Sequence, residues 1–163
     1  MISQESSLHA TSRTEEKQRI SKELAFAGDA ESLAASRQAI MDFLTPYFSS
    51  EAEEIDFFLT LQEALANAVF HGCQNDPSKT IQCRIEIDPS AIVITIRDPG
   101  PGFDPYGATQ ATEEGTNLTT HGRGIFLMRS LMDEVTYLHR GTELHLRKLR
   151  TGLTPAPLQP LSS

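Results

Sequence analysis

Two short apolar runs set the strongest limit on the fold. Ile81, Cys83, Ile85 and Ile87 alternate with Gln82, Arg84 and Glu86, and Ile92, Ile94 and Ile96 alternate with Val93, Thr95 and Arg97. A period of two places each apolar set on one face of a strand. Asp88-Pro89-Ser90 separates the runs and is a turn sequence. Together they predict an antiparallel hairpin with one dry face. Such a sheet needs a cover, and the rest of the chain must supply it.

Helical patterns upstream meet that need. Ile20, Lys22, Leu24 and Phe26 share one face of a first strand that stops at Gly28-Asp29. Asp29 can cap a helix running to about Phe48, with Leu33, Ile40, Phe43 and Leu44 as its apolar stripe. Ser49-Ser50 followed by Glu53 resembles a capping box for a second helix, which runs to about His71 and stops at Gly72. Residues 98–121 are rich in Gly, Pro, Thr and Asn and lack periodicity. Loops of that length in compact domains are often lids or binding loops. A third helix is expected from near Gly122 to about Leu131. Val135–His139 and Thr142–Leu149 form a second hairpin around Arg140-Gly141, with Leu144 and Leu146 inward. Strands arranged as hairpins rather than βαβ crossovers predict an α+β fold. The expected form is a two-layer α/β sandwich, a mixed, mostly antiparallel sheet covered on one face by helices.

At 163 residues the chain has room for one main core. Residues 1–18 are polar and read as a flexible leader, residues 19–150 as the working domain, and 151–163 as a disordered, Pro-rich tail. A net charge of −8 argues against direct nucleic-acid binding. No apolar run is long enough to span a bilayer, and the N-terminal stretch lacks a hydrophobic signal core, so no membrane association and a cytoplasmic location are expected. Cys73 and Cys83 are too few for a disulfide framework or a zinc site and read as small buried or half-buried thiols.

Glu63, Asn67 and His71 recur every four residues, so they form one polar stripe on the second helix, with Leu61 and Leu65 roughly opposite. Mg²⁺ takes oxygen ligands and keeps waters; Asn67 can offer a neutral amide oxygen that does not repel phosphate. Glu63 one turn earlier can accept a proton. A plain solvated helix face has the same spacing. Asp98 directly follows an apolar strand and precedes Pro99-Gly100-Pro101-Gly102. A carboxylate there can accept a hydrogen bond from an exocyclic amine such as adenine's, and Gly100 and Gly102 let the backbone approach a flat base. A simple Pro/Gly turn would also account for these residues.

His121-Gly122-Arg123-Gly124 opens the third helix, where backbone N–H groups can hold phosphate oxygens and Arg123 can add a contact. The charge at a helix end contributes only about 0.3–1 kcal/mol when exposed, too little for a triphosphate without Mg²⁺. Neither a Rossmann fingerprint nor a P-loop is present. Thr142 can hydrogen-bond inward, or serve simply as a good strand former.

In this order, EALANAVFHG at 63–72, IRDPGPGF at 96–103, GRGIFLMRSLMDEV at 122–135 and GTELHL at 141–146 resemble the GHKL (Bergerat) ATPases, and within them the bacterial anti-sigma factor serine/threonine kinases. The resemblance spans nearly all of 19–150. It implies Glu63 as general base, Asn67 as Mg²⁺ ligand and His71 near the nucleotide. It implies Asp98 as the adenine-reading carboxylate, with Gly100 and Gly102 beside the base and Thr142 supporting its recognition. Gly122, Arg123, Gly124 and Ile125 fall in the phosphate-side box, and 103–121 correspond to the ATP lid. Asn117–His121 departs from the charged residues that family lids often carry there. The implied cofactors are ATP and Mg²⁺. The implied partners are a STAS-type anti-sigma factor antagonist as phosphorylation substrate, a sigma factor, and a second copy of the chain in a homodimer. The alternative is a non-catalytic, ATP-binding anti-sigma or partner-switching module.

Overall fold

The alternating runs form the middle of the molecule. In the computed structural model, which describes residues 19–105 and 120–150, they become β2 (Asp76–Ile87) and β3 (Ala91–Arg97), paired antiparallel with Ile85 opposite Ile94. Asp88 closes the turn between them by accepting from Ser90 N–H at 2.7 Å and Ala91 N–H at 2.9 Å. β1 (Ile20–Gly28) pairs with β2; β4 (Glu134–Leu138) and β5 (Glu143–Leu149) form the second hairpin, and β5 pairs with β3. The strand order is β1-β2-β3-β5-β4. All ladders among the described residues are antiparallel, so the mixed element of the expectation is not found there.

Register carries the two-faced pattern across the whole sheet. Lys22, Ile85, Ile94, Leu146 and Val135 form one inward row; Leu24, Cys83, Ile96, Leu144 and Tyr137 form the next. Ile85, Ile94 and Leu146 are at most 1% exposed, and each buried aliphatic side chain of this size contributes roughly 1.5–3 kcal/mol. Lys22 is the polar member of its row, and its ammonium lies 5.2 Å from the centre of the Phe43 ring. The opposite face carries paired charges: Arg97 Nε donates to Glu143 Oε2 at 2.7 Å, and His145 Nε2 lies 2.7 Å from Glu143 Oε1. Both cysteines are buried and free.

Helices cover the inward face. α1 (Ala30–Leu44) starts on Asp29, whose carboxylate accepts from Ser32 N–H, and buries Ile40, Met41 and Leu44. It was expected to reach Phe48, but it tightens into a 3₁₀ turn at Thr45–Tyr47, where Pro46 cannot donate to an α-helical ladder. α2 (Glu51–Asn67) buries Phe57, Leu61, Ala64 and Leu65. Ser50 Oγ accepts from Glu53 N–H at 3.1 Å, while Glu53 Oε2 accepts from both Ser49 N–H and Ser49 Oγ at 2.6 Å. The capping box therefore closes one residue earlier than the standard reciprocal pair. α3 (Thr120–Leu131) begins two residues before Gly122 and buries Ile125 and Met128 in the same core. β2 also starts earlier than its apolar pattern, at Asp76, because Asp76 and Thr80 find partners in Gly28 and Ala27 at the end of β1, across a register shift. The leader, the tail and most of the expected lid lie outside the described residues.

The capping pair sets where α2 begins, and α2 carries Glu63 and Asn67. Ser50→Ala is expected to lower stability by about 1 kcal/mol, read as a reduced urea midpoint with an unchanged slope.

Candidate nucleotide site

The last turns of α2 do not end as an ordinary α-helix. Ala68–Gly72 forms a π-helical turn, in which Cys73 N–H donates to Ala68 C=O at 2.8 Å, five residues back. Gln74 and Asn75 follow at positive φ of 57° and 56°, turning the chain into β2. The expected helix to His71 is thus α-helical only to Asn67. The wider turn carries Gly72 against the end of β3, where a Cβ on residue 72 would overlap the Asp98 carboxyl group. Only glycine fits there, and the sequence reading treated Gly72 merely as a helix stop.

Asp98 is held from several sides. Its N–H donates to Thr142 C=O at 3.0 Å, and its Oδ1 accepts from Gly100 N–H at 2.8 Å. Burial pushes its carboxyl group above the usual range, and the Gly100 bond opposes that push. Gly102 adopts φ 79°, and Phe103 N–H then donates to Arg140 C=O at 2.8 Å. The Asp98–Phe103 strap therefore bridges the end of α2 and the turn at His139–Gly141. Thr142, read either as an inward hydrogen-bonding hydroxyl or as a plain strand former, donates its hydroxyl to His139 C=O at 2.8 Å, and its backbone carbonyl is what meets Asp98.

Asn67, His71, Gly72, Asp98, Gly102, Phe103 and Gly141 enclose a cleft of about 20 Å³. That is room for about one water molecule. A larger concavity of about 570 Å³ lies on the other face of the sheet. Its charges already neutralise one another through the Arg97–Glu143–His145 group and the Arg84–Glu86 pair, and it contains none of the expected site residues.

The phosphate side is built where α3 crosses α2. Gly122 and Gly124 are buried and Arg123 is exposed. A Cβ on residue 124 would come within 2.6 Å of Glu63 Oε2. The second glycine box and Glu63 are thus direct neighbours, although 61 residues separate them along the chain (124 − 63). Ile125 is fully buried, so its side chain serves the core. His71 is exposed on the π-helical turn beside the cleft. The structure brings Glu63 to Gly124 and joins Asn67, His71, Asp98 and Gly102 around one cleft. Phe103 joins them without having been singled out. Its signal was its position directly after Gly-Pro-Gly, where a large apolar residue in a polar loop calls for a packing partner.

One helix ending in an Asn, a carboxylate at a strand end and a glycine-opened helix, all on the covered face of an antiparallel sheet, define a nucleotide-binding fold of the histidine kinase-like type. Residues 26–148 match the model of the histidine kinase-like ATPase domain, and the chain belongs to that family. More particularly, it is similar to anti-sigma F factors: 26% identical over 130 residues to that of Geobacillus stearothermophilus, and 27% identical over 130 residues to that of Oceanobacillus iheyensis. Each alignment covers 77% of this chain and 89% of the relative. The GHKL and anti-sigma resemblance read from the motifs is borne out at that level. A solved chain in the SiaB–SiaC complex from Pseudomonas aeruginosa shares the fold, with a TM-score of 0.51, 14% identity, and coverage of 88% of this chain and 97% of that one. Among the described residues no helix is long and apolar enough to cross a membrane.

In the reading of Asp98 as the acceptor for the adenine amine, its raised pKa has a consequence for binding. Only the ionised carboxylate is a pure acceptor for an exocyclic amine. ATP affinity is therefore expected to fall on acidification at a pH above the ordinary aspartate value of about 3.9. Asp98→Asn should bind roughly 10–100-fold more weakly, the loss of one charged hydrogen bond, and should lack that part of the pH dependence. Calorimetric titrations of both proteins from neutral to mildly acidic pH check this.

Proposed function

We propose that the chain is an ATP-dependent serine/threonine protein kinase of the anti-sigma type. Its substrate is a hydroxyl side chain on a STAS-type anti-sigma factor antagonist. The observation that carries this reading is the contact between Glu63 and Gly124: a carboxylate able to take a proton sits against the backbone segment suited to hold phosphate oxygens.

Each residue has a distinct task in this reading. Asp98 accepts from the adenine amine, with Gly100 and Gly102 giving the base room. The amino end of α3, which starts at Thr120, binds phosphate oxygens through the backbone N–H groups of its first turn, Gly122 among them, and Arg123 adds positive charge at the same end. Asn67 fits a magnesium ion held largely by phosphates and water. It is uncharged, and among the described residues no cluster of three or more acidic, His or Cys side chains offers an all-protein cage. When bound, that ion neutralises phosphate charge. Glu63 accepts the proton of the antagonist's Ser or Thr hydroxyl as its oxygen bonds to the γ-phosphorus, and ADP leaves with the electrons of the broken P–O bond. The resemblance to anti-sigma F factors supports a sigma factor as the second partner and a homodimer as the working unit.

The alternative is an ATP-liganded partner-switching module without phosphoryl transfer, in which nucleotide orders the lid and thereby a docking surface. Glu63 separates the two. Glu63→Gln is expected to bind ATP within about threefold of wild type, because the amide preserves shape and only a group acting at transfer is lost. It should lower transfer to the antagonist by at least about 100-fold, the lower end for a removed general base. Radiolabelled transfer assays alongside calorimetry give both numbers. Equal transfer by the two proteins would refute Glu63 as base, and no transfer by wild type would favour the module.

A further inference from the structure

Asn67 closes α2, and Tyr137 is the inward residue of β4 opposite Leu144. Asn67 Nδ2 and Tyr137 Oη are both buried without an aligned hydrogen-bond partner. An unsatisfied buried polar group costs about 1–3 kcal/mol, so two beside one cleft call for an explanation. They are neighbours. Burial drives the Tyr137 hydroxyl up to about 12, and the Asn67 side chain, acting as a hydrogen-bonding neighbour, works against that rise. Phe103 ties them to the site: its ring meets Tyr137 edge-on at 5.1 Å and lines the same cleft as Asn67.

The chemistry of an asparagine ligand explains why such a neighbour matters. The amide has an oxygen that attracts a cation and an NH₂ group that repels it, and the two ends have nearly the same shape. A metal-binding asparagine therefore needs a partner that holds its nitrogen. A phenol oxygen meets that need, since it can accept from Nδ2. Partners that orient metal ligands in this way typically change metal affinity 10–100-fold when removed.

We propose that Tyr137 is a positioning residue for Asn67: its Oη accepts from Asn67 Nδ2 and so turns Oδ1 toward the magnesium of bound nucleotide. This inference rests on the reading of Asn67 as the metal ligand. The two groups already lie within interaction range of each other, and neither has a partner of full hydrogen-bond geometry; in this proposal the bond aligns when nucleotide is bound.

The test uses the full chain and Tyr137→Phe, with ATP binding measured by calorimetry across free Mg²⁺ concentrations and in chelator. Tyr137→Phe is expected to need about 10-fold more Mg²⁺ for the same gain in ATP affinity. Its affinity for metal-free ATP should stay within about twofold, since the adenine contacts remain. A purely structural role for the hydroxyl would weaken both equally and would overturn the proposal, as would a Mg²⁺ dependence identical to wild type. A wild type whose ATP affinity does not respond to Mg²⁺ would remove Asn67 as ligand and the proposal with it, an outcome visible before any variant is made. A second measurement does not depend on the variant folding. In ¹⁵N-labelled wild type, the Asn67 side-chain amide protons should show through-space contact with the Tyr137 ring and slowed exchange once Mg²⁺-ATP is added; unchanged exchange would overturn the inference.

Discussion

The grip on Asp98 is the constraint on which the site depends. A carboxylate half-removed from water is tolerated only if its surroundings hold it in one place. Here the backbone of Thr142 holds its main chain, the N–H of Gly100 holds its side chain, and the absence of a side chain on Gly72 leaves space for it. Those contacts come from Thr142 just before β5, from the strap and from the π-helical turn that follows α2. Fixing one residue therefore fixes three distant segments relative to one another, and the remainder of the cleft follows from their meeting.

The sheet makes that meeting possible. Its inward rows are almost wholly aliphatic, so the helices are held by packing that does not need the site. The cleft can then keep polar groups in unfinished arrangements, with Asn67 Nδ2 and Tyr137 Oη short of full hydrogen-bond geometry, without the fold depending on them. The contact between Gly124 and Glu63 extends the same economy to the phosphate side. Two helices already packed for the core's sake bring a carboxylate and a glycine-opened turn together.

Much of this was legible in the sequence, and the limits have physical causes. The alternation at 81–87 and 92–96 located the central hairpin because each inward position meets the same dry layer. Asp29 and Ser50 located both helix starts because a cap is a local hydrogen bond. The early start of β2 was hidden, since Asp76–Thr80 carries no strand pattern and is extended only because β1 lies beside it. The π-helical turn was hidden for a similar reason: its five-residue bond is chosen by where Gly72 must land, and no local pattern announces it. Among site residues, glycines and carboxylates in short motifs could be read directly. Phe103 and Tyr137 could not, because their importance comes from contact with each other across the fold. The placement of residues in the lid lies outside the described residues.

The π-helical turn has one more consequence. Up to Asn67 the chain advances by the α-helical pitch, about 1.5 Å per residue; from Ala68 to Gly72 it is wound more loosely. Glu63 and Asn67 are thus clocked by one gear and Gly72, with the adenine end of the cleft, by another. In the proposed site, the distance between the two ends of a bound nucleotide is set at the junction of these gears. Losing or gaining a single amino acid between them would slip the phosphate end against the base end, while leaving every motif intact to the eye.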